Sequence, residues 1–265
     1  ADVARVDGAP EMRDETTVGR VSIASPCVAV ESVAAGGGSI LWWDGEAMRV
    51  GPRSAGASPG PACYGTGGPL TLTDANLLLG RIDRTQFAIP VSLDAAQGQA
   101  NALHAQIAGN SQRKMSIQEM LESFIAIADE AMASAIRAVT VRRGVDPADH
   151  ALVAFGGAGG LHACAVAERL GIRTVVYPLD AGLLCASGIS CAPITRIVTS
   201  LVLCALSDCD PSMWDRLEQL QNRGETEMGL LGIDRASTLV TRKSALMRLA
   251  GTEESIEVEI ASHCK

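Results

Sequence analysis

The segment of this chain best suited to chemistry is a turn packed with glycine. Its residues are Gly156, Gly157, Ala158, Gly159 and Gly160. Because glycine has no Cβ, a ligand can lie directly against its backbone, and a helix that starts behind the turn offers unpaired N–H groups to an anion. The turn therefore predicts contact with a phosphate, or with the ribose and phosphate of a nucleotide. The alternative is that the glycines only permit a tight connection between two elements.

The elements on either side of this turn predict a βαβ unit. An apolar run at 151–155 precedes it, an amphipathic stretch continues to Gly171, and a second apolar run follows at 174–177. The spacing does not match the dinucleotide fingerprint, whose third glycine would stand where this chain has His162. No Gly-Lys-Ser/Thr follows the glycines, so the turn is not a Walker A loop either.

A second glycine cluster precedes a predicted hairpin. It consists of Gly36, Gly37, Gly38 and Ser39. Asp44-Gly45 is a hairpin turn signal, so the segments 39–43 and 47–50 are predicted to pair. The cluster is either a cradle for a substrate or phosphate group or a structural turn. The segment that follows, 51–69, is rich in Gly, Pro and Ser. A loop of this length is usually either functional or disordered, and its aromatic and cysteine content favours an ordered one.

Periodicity and end signals place the remaining elements. A capping box, Ser116 to Glu119, predicts the start of a long helix that runs to Arg143. A short helix is predicted at 73–80, with Thr73 capping its start. Further predictions are a strand at 2–6, an extended stretch at 21–33, helices at 92–109 and 211–232, a loop entering a helix at 180–189, and two strands within 237–260.

Composition limits the classes of partner. The chain has 265 residues, of which 47% are hydrophobic, so it can bury a substantial core. Its net charge of -8 argues against a nucleic-acid partner, which would require clustered Lys and Arg. No apolar stretch reaches the roughly 18 residues of a membrane span, and the N-terminus lacks a signal-peptide pattern. The eight cysteines are scattered without a C-x-x-C pair, which favours a reduced, cytoplasmic protein without a structural zinc site.

Five blocks of the sequence carry a resemblance to a known family. They are Ala-Gly-Gly-Gly-Ser-Ile at 35–40, Arg-Val-Gly-Pro-Arg-Ser-Ala-Gly-Ala at 49–57, Pro-Gly-Pro-Ala-Cys-Tyr-Gly at 59–65, Thr-Asp-Ala-Asn-Leu at 73–77 and Phe-Gly-Gly-Ala-Gly-Gly-Leu-His-Ala at 155–163. In this order they resemble the hydantoinase A, 5-oxoprolinase and acetone carboxylase family. Two positions depart from the family pattern, which usually has Pro in place of Gly160 and Gly in place of Ala34.

The resemblance implies an α/β fold of the actin, sugar-kinase and heat-shock-chaperone ATPase type, in which two lobes close on ATP. This chain would be mainly the second lobe, a ribonuclease-H-like mixed sheet flanked by helices, truncated at its N-terminus. The implied domains are a hydantoinase/oxoprolinase domain at 1–200 and the start of a following C-terminal region at 201–265. We therefore expect the chain to be a piece of a longer protein.

The resemblance also implies a chemistry. Family members couple ATP cleavage, with Mg²⁺ or Mn²⁺, to the opening of a lactam or hydantoin ring or to the carboxylation of a ketone. A stable amide oxygen is a poor leaving group until it is phosphorylated, and phosphoryl transfer needs positioning and charge neutralisation. We therefore expect an ATP-dependent hydrolase of cyclic amides. The alternatives are a ketone carboxylase subunit and a non-catalytic nucleotide-binding or assembly fragment.

Partners follow from the same resemblance. The expected small molecule is a cyclic amide or a ketone, and the expected protein partner is a hydantoinase B-type subunit or domain. A homo- or hetero-oligomer is expected. We expect no ATPase activity from the isolated piece, since half of the phosphate contacts would be missing.

The resemblance assigns roles to single residues as well. The turn Phe155–Gly160 would be the adenosine-side loop. Asp2 would follow the family's phosphate turn and is the candidate metal ligand and catalytic carboxylate, or else a strand-end aspartate. Asp74 is a candidate base or metal ligand, with a helix N-terminus as the alternative. Arg53 is a candidate to hold a carboxylate or phosphate with two N–H groups, or else it braces its loop through a salt bridge.

Three further reactive side chains need a structural reading. His162 and Cys164 are not expected to form a catalytic pair, because residues two apart on a helix point about 200° apart. We predict that His162 bonds locally in the first turn of its helix and that Cys164 lies in the core. Cys63, beside Tyr64, is the candidate reactive thiol, with a packed, unreactive thiol as the alternative.

Overall fold

The computed structural model describes residues 1–13, 15–19, 21–23, 27–87, 89–110, 114–252 and 255–260. The chain divides into two compact units, Ala1–Cys191 and Ala192–Lys265. No helix in the described ranges is both long and apolar enough to cross a membrane. The domain boundary that the sequence places at residue 200 stays a prediction.

The first unit opens with an antiparallel arm of short strands. β1 (Asp2–Ala4) pairs with β8 (Val30–Ser32) at the base of the arm. The chain between them forms three more pairs, which are β2 (Val6–Asp7) with β3 (Ala9–Pro10), β4 (Met12–Arg13) with β7 (Cys27–Val28), and β5 (Thr16–Val18) with β6 (Val21–Ile23). The strand predicted at 2–6 therefore ends at Ala4. The extended stretch predicted at 21–33 contains three separate strands among its described residues.

The predicted hairpin follows the arm. β9 (Ser39–Trp43) pairs antiparallel with β10 (Met48–Ser54), as the Asp44-Gly45 signal indicates. The Asp44 carboxylate accepts two N–H bonds within the turn and one bond from Arg49, and these donors lower the pKa of Asp44 to about 2. β10 extends into the segment 51–69 that composition predicts as a loop, so the loop is shorter than predicted.

Three helices come next, and the third is the centre of the core. They are α1 (Leu72–Leu78), α2 (Leu93–Asn110) and α3 (Ile117–Val139). The capping box of α3 is confirmed, since Ser116 and Glu119 each bond the other's backbone N–H. Its buried apolar face consists of Met120, Leu121, Phe124, Ile125, Ala128, Met132, Ala133 and Ile136. α3 ends at Val139 because the chain tightens there into a 3₁₀ turn, Val141–Arg143.

The predicted βαβ unit is confirmed. β11 (Ala151–Val153) and β12 (Thr174–Val176) are parallel neighbours, and α4 (Gly160–Leu170) connects them. α4 ends at Gly171, whose φ of 69° suits the left-handed end of a helix. Its apolar side packs on α3 in the main core cluster. The loop after β12 enters α5 (Leu184–Cys191), as predicted.

The strands of the described residues form seven sheets of two strands each. Six of these sheets are antiparallel, and only β11 and β12 pair in parallel. The α/β class is confirmed, but a single mixed sheet flanked by helices is not formed within these residues. The physical reason is that most strands are closed off by their own short hairpins, and only the βαβ crossover joins parallel neighbours.

In its described residues, the second unit contains one long helix and one hairpin, as its sequence predicts. The helix is α6 (Ser212–Leu230), and the hairpin joins β13 (Ser244–Met247) to β14 (Ile256–Glu259). Lys243 Nζ donates to Gln221 Oε1 over 3.1 Å, so the hairpin and the helix are tied together.

Candidate functional site

The two glycine clusters of the sequence lie against each other in the structure. A Cβ placed on Gly37 would be 3.7 Å from the Cβ of Ala158, although more than a hundred residues separate them. The N–H and hydroxyl groups of Thr73 both donate to the Gly37 carbonyl, over 2.9 and 3.0 Å. We call residues 36–39 the first glycine loop and residues 156–160 the second glycine loop. Their contact defines the candidate site.

Short internal bonds set the shape of the first glycine loop. Ser39 Oγ accepts from the Gly36 N–H over 3.0 Å, and the Ser39 N–H donates to the Gly36 carbonyl over 2.8 Å. Ala55 N–H donates to the Gly38 carbonyl, which ties the loop to the end of β10. The N–H groups of Gly37 and Gly38 have no acceptor among the described residues. Ser39 is buried and shapes the loop, while the two glycines present free donors.

The second glycine loop also keeps N–H groups unpaired. The Gly156 N–H donates to the Ala181 carbonyl over 2.8 Å, which fixes the start of the loop. At its other end, Leu161 and His162 donate to the carbonyls of Ala158 and Gly159. Within the described part of the chain, the N–H groups of Gly157 and Ala158 find no acceptor. The contact between the two loops therefore gathers unpaired backbone donors, which is the arrangement that binds anions.

The tight-connection alternative explains some of these glycines but not all. Gly156 has φ of 84°, a region that L side chains rarely adopt. A Cβ on Gly159 would lie 2.5 Å from the Phe155 carbonyl oxygen, and one on Gly160 would lie 2.7 Å from the Tyr177 ring. Gly157 does not have a positive φ, and a Cβ placed on it would meet no atom within 4 Å. The same is true of Gly36. Nothing in the described packing requires glycine at 157 or 36.

The family departures are accommodated locally. The Tyr177 ring lies against Gly160, where the family usually has Pro, so the aromatic ring fills the space beside the helix start. Ala34 does not have a positive φ, so alanine is acceptable where the family usually has Gly.

Asp2 lies beside the first glycine loop, at the base of the arm. The amino group of Ala1 donates to the carbonyls of Val33 and Ala35 over 2.8 and 2.9 Å, which places the start of β1 next to that loop. The exposed Asp2 carboxylate accepts a bond from the Ser32 hydroxyl through Oδ1, over 2.6 Å. No group of three His, Cys, Asp or Glu side chains that could hold a metal occurs among the residues described. The role of Asp2 stays a prediction.

Arg53 lies one residue from the point where β10 meets the first glycine loop. Ser54 pairs with Ser39, and a Cβ on Gly38 would lie 2.9 Å from Ser54 Oγ. The exposed Arg53 guanidinium lies 5.9 Å from the centre of the Trp42 ring, a cation–π distance. The alternative of a loop-bracing salt bridge is not seen, because no carboxylate of the described chain pairs with Arg53. The Arg53 side chain is exposed to solvent.

Asp74 is fully buried and bonded to backbone. Its Oδ2 accepts from the Ala62 and Thr71 N–H groups and from the Thr71 hydroxyl, over 3.0, 2.8 and 2.9 Å. Its Oδ1 accepts from the Cys63 N–H over 2.7 Å. α1 is capped by Thr71 and not by Thr73 as the sequence predicts, because Thr71 and Asp74 form a capping box. The carboxylate thus fixes a helix N-terminus and a loop, which matches the alternative weighed for it; a role as base or metal ligand stays a prediction.

Of the two cysteines considered in the sequence, Cys63 is buried and Cys164 is exposed. Cys63 is buried, and burial together with Asp74 raises the pKa of its thiol to about 12. This thiol is packed and not ionised near neutral pH, as the alternative for Cys63 holds. Cys164 is exposed, so its predicted core position is wrong. It faces away from the apolar side of α4, which is formed by Ala163, Val166, Ala167 and Leu170.

His162 makes a long-range bond that the sequence analysis misses. Its Nδ1 lies 2.6 Å from Oδ1 of Asp129 on α3, and both side chains are buried. The prediction of a local bond in the first turn of α4 is therefore wrong. The available signal was in α3, because Asp129 is the single acidic residue at a buried position of that helix.

Together these features define a mixed α/β protein whose paired glycine loops present backbone donors suited to an anion such as a phosphate. The chain belongs to the hydantoinase/oxoprolinase family, since the family model described as Hydantoinase/oxoprolinase matches residues 1–198. The family predicted from the five sequence blocks is confirmed.

Named relatives agree with this membership. The 5-oxoprolinase PfmaA of Pestalotiopsis fici is 39% identical over 97% of this chain, and the match covers 21% of that protein. The 5-oxoprolinase of Saccharomyces cerevisiae is 42% identical over 73% of this chain, which is 16% of its own length. This chain therefore spans about a fifth or less of these two relatives.

Solved structures share the fold. The crystal structure of an ATP-dependent caprolactamase from Pseudomonas jessenii superposes with a TM-score of 0.72 and 32% identity, over 94% of this chain and 37% of that one. A nucleotide-free acetone carboxylase superposes with a TM-score of 0.70 at 24% identity, over 95% of this chain and 37% of its own. The second likeness concerns the fold alone.

Proposed function

We propose that the protein to which this chain belongs opens a cyclic amide, of the lactam or hydantoin type, in a reaction driven by ATP. Its relatives include proteins named 5-oxoprolinase, and its structural neighbour is described as an ATP-dependent caprolactamase. The observation that carries the proposal is the contact between the two glycine loops. It places Gly37 next to Ala158, in two loops whose Gly37, Gly38, Gly157 and Ala158 N–H groups have no acceptor among the described residues.

These donors suit the phosphates of ATP. Each N–H is held by a loop whose ends are bonded to rigid elements, so little ordering is needed when an anion binds. Gly157 and Gly36 leave open space where a side chain would stand. A phosphate, or the ribose and phosphate of the nucleotide, can therefore lie directly against the main chain there.

Arg53 is proposed to hold the negatively charged end of the substrate or a phosphate oxygen. Its guanidinium is stacked near Trp42 and keeps its N–H fork free among the described residues. Asp74 is proposed to act through structure, because its carboxylate oxygens already accept four hydrogen bonds in a fully buried position.

Asp2 is proposed to take part in holding Mg²⁺ or Mn²⁺ with the nucleotide. Mg²⁺ usually keeps several waters and binds one or two carboxylates together with substrate phosphates. An exposed carboxylate with one oxygen bonded to Ser32 fits that pattern beside the first glycine loop. The metal would neutralise charge on the phosphates, which is the chief requirement of phosphoryl transfer.

The proposed reaction has three stages. The amide oxygen of the ring attacks the γ-phosphorus of ATP, its bond to phosphorus forms, and the bond to the leaving ADP breaks. Water then adds to the activated ring carbon, and the ring C–N bond breaks as the nitrogen takes a proton, which leaves an acyl phosphate. A second water adds to the acyl carbon, the C–O bond to the phosphate breaks, and inorganic phosphate leaves as the carboxylate forms. The net products are the ring-opened amino acid or carbamoyl compound, ADP and phosphate.

The proposal extends to the fold of the whole protein, its partner and its compartment. The chain is proposed to form mainly the second lobe of an actin-like ATPase fold, supported by the likeness to the two solved structures. A second subunit or domain of the hydantoinase B type is proposed as partner, because one relative is named caprolactamase subunit alpha. The protein is proposed to work in the cytoplasm.

The test uses the intact protein that contains this chain, with its partner subunit. Phosphate release is measured with ATP and Mg²⁺ in the presence of 5-oxoproline, a hydantoin or caprolactam, and ring opening is followed by chromatography. We expect one of these amides to stimulate phosphate release with equimolar ring-opened product. ATP turnover that needs a ketone and bicarbonate would replace this proposal by the carboxylase alternative, and turnover with none of them would contradict both.

A further inference from the structure

A buried ionisable pair joins α3 to α4 beside the second glycine loop. His162 Nδ1 lies 2.6 Å from Asp129 Oδ1, and the two side chains are 1% and 4% exposed. Asp129 Oδ2 lies 3.6 Å from the Arg169 guanidinium, which in turn lies 3.6 Å from Glu130. The carboxylate is therefore paired on both of its oxygens.

The two nitrogens of the His162 ring have different surroundings. A carboxylate acceptor makes Nδ1 the donor, so the bond to Asp129 fixes the direction of the ring. Nε2 is buried, and no atom of the described chain is its hydrogen-bond partner. One end of the ring is thus bonded to α3, and the other end has no such bond.

The bond between His162 and Asp129 matters because His162 lies directly after the second glycine loop. His162 is the third residue of α4, and its N–H donates to the Gly159 carbonyl, while Leu161 donates to the Ala158 carbonyl. The turn that carries the unpaired Gly157 and Ala158 N–H groups is therefore continuous with the residue that Asp129 holds. α3 carries more buried residues than any other described helix of the unit, so it is a rigid support for this turn.

Stability does not account for this choice of residues. Two apolar side chains would fill a seam between packed helices without the desolvation cost of a buried carboxylate. The pair also leaves a polar atom, Nε2, buried and unbonded, which is unfavourable. An interaction that serves only packing would not need these groups, whereas a directional bond is suited to setting the position of a turn.

We infer that Asp129 and His162 are positioning residues for the nucleotide loop. Their bond holds the first turn of α4 at a fixed distance from the first glycine loop, so that the Gly37, Gly38, Gly157 and Ala158 donors converge on one phosphate group. This inference rests on the proposed function for the identity of the anion, but the brace itself is a property of the fold.

The test compares variants of His162 in the intact protein. Asn at 162 places an amide N–H close to the position of Nδ1 and keeps the bond to Asp129, whereas Gln places its amide near Nε2. His162→Leu removes the polar groups at both the Nδ1 and the Nε2 positions. Val166→Ala is the matched control, because it weakens the same α3–α4 packing from a buried position without touching the bond.

We expect His162→Leu and His162→Gln to raise the KM for ATP by about tenfold or more, and His162→Asn and Val166→Ala to stay within about threefold of wild type. Urea unfolding of each variant separates loss of stability from loss of positioning. Equal KM values for His162→Leu and Val166→Ala would overturn the inference. Rescue by Gln with failure of Asn would also overturn it, because Nε2 would then be the working atom.

A second measurement does not depend on activity. Hydrogen exchange of the peptide that covers 155–163 is expected to become faster in His162→Leu and to remain near wild type in His162→Asn and Val166→Ala. If wild type shows no ATP turnover, the proposed function fails while this exchange pattern still supports the brace. Unchanged exchange in His162→Leu would refute the brace whatever the activity.

Discussion

Gly157 and Gly36 differ from their neighbours in the glycine loops because the fold itself does not require them. A Cβ at either position would meet nothing within 4 Å, and neither residue has a positive φ. By contrast, Gly156 has a positive φ, and a Cβ on Gly159 would press on the Phe155 carbonyl. Packing therefore does not require glycine at positions 157 and 36, and the unpaired N–H groups beside them are not used within the fold. Close approach of a ligand to the backbone explains both features.

This argument predicts a separation of folding from binding at Gly157. Gly157→Val is expected to leave the urea midpoint of the intact protein nearly unchanged while raising the KM for ATP by about tenfold or more. The matched control is Gly109→Val, since Gly109 is exposed near the end of α2 and a Cβ there also meets nothing within 4 Å. Steady-state kinetics and urea denaturation measure the two effects. If both variants bind ATP like wild type, the second glycine loop is only a connection.

At the scale of single residues, the sequence predicts the glycine loops that offer backbone N–H donors better than it predicts which side chains bond to each other. The glycine clusters are visible because glycine marks backbone geometry directly. The bond between His162 and Asp129 is not, because two residues 33 apart become neighbours only when α3 packs on α4.

At the scale of elements, Asp74 links a helix to the loop that precedes it. Its carboxylate accepts bonds from Ala62, Cys63 and Thr71, so it satisfies backbone N–H groups of the loop and of the α1 N-terminus together. Thr73, next to it, bonds the Gly37 carbonyl of the first glycine loop. The start of α1 is therefore bonded both to the loop that contains Ala62 and Cys63 and to the first glycine loop, so a shift of one of these loops would shift the other.

We predict that Asp74→Asn loosens this junction. The new NH₂ group would face backbone donors, and loss of bonds to a buried charged acceptor costs about 2–4 kcal/mol of unfolding free energy. Cys63, whose pKa is raised to about 12, is expected to resist iodoacetamide at pH 8 in wild type and to react in the variant. Denaturation and mass spectrometry measure both effects. Asp83→Asn is the control, because the exposed Asp83 carboxylate caps a 3₁₀ turn through local bonds from Thr85; equal destabilisation by both would contradict this reading.

Elements whose signals are local could be predicted, and those that depend on pairing could not. The Ser116–Glu119 capping box, the Asp44-Gly45 hairpin and the strand–turn–helix at 151–170 are each encoded within a few residues. The arm from β1 to β8 is not, because its short strands carry no strong alternation and gain their register from one another. The sequence favours Thr73 as the cap of α1, but the helix begins after Thr71, because Asp74 lies three residues after Thr71 and forms a capping box with it.

At the scale of the whole molecule, the candidate site is open on one side. Phe155 and Tyr177, which flank the second glycine loop, are 46% and 53% exposed, and Gly157 is exposed as well. Ligand sites usually bury about 70–90% of a small ligand, so loops on an open surface supply only part of a nucleotide site. The chain also covers only 37% of the caprolactamase chain that shares its fold.

The isolated 265-residue chain is therefore expected to bind ATP weakly and to hydrolyse none. Its paired glycine loops can contact phosphate, but a nucleotide covered on one face loses much of the apolar burial and most of the charge neutralisation that tight binding requires. Calorimetry with ATP and Mg²⁺ should give a Kd at least about tenfold weaker than that of the intact protein. Gly157→Val in both proteins serves as the control, since it should weaken whatever binding the loops provide. Equal affinity of the isolated chain and the intact protein would show that this surface alone completes the nucleotide site.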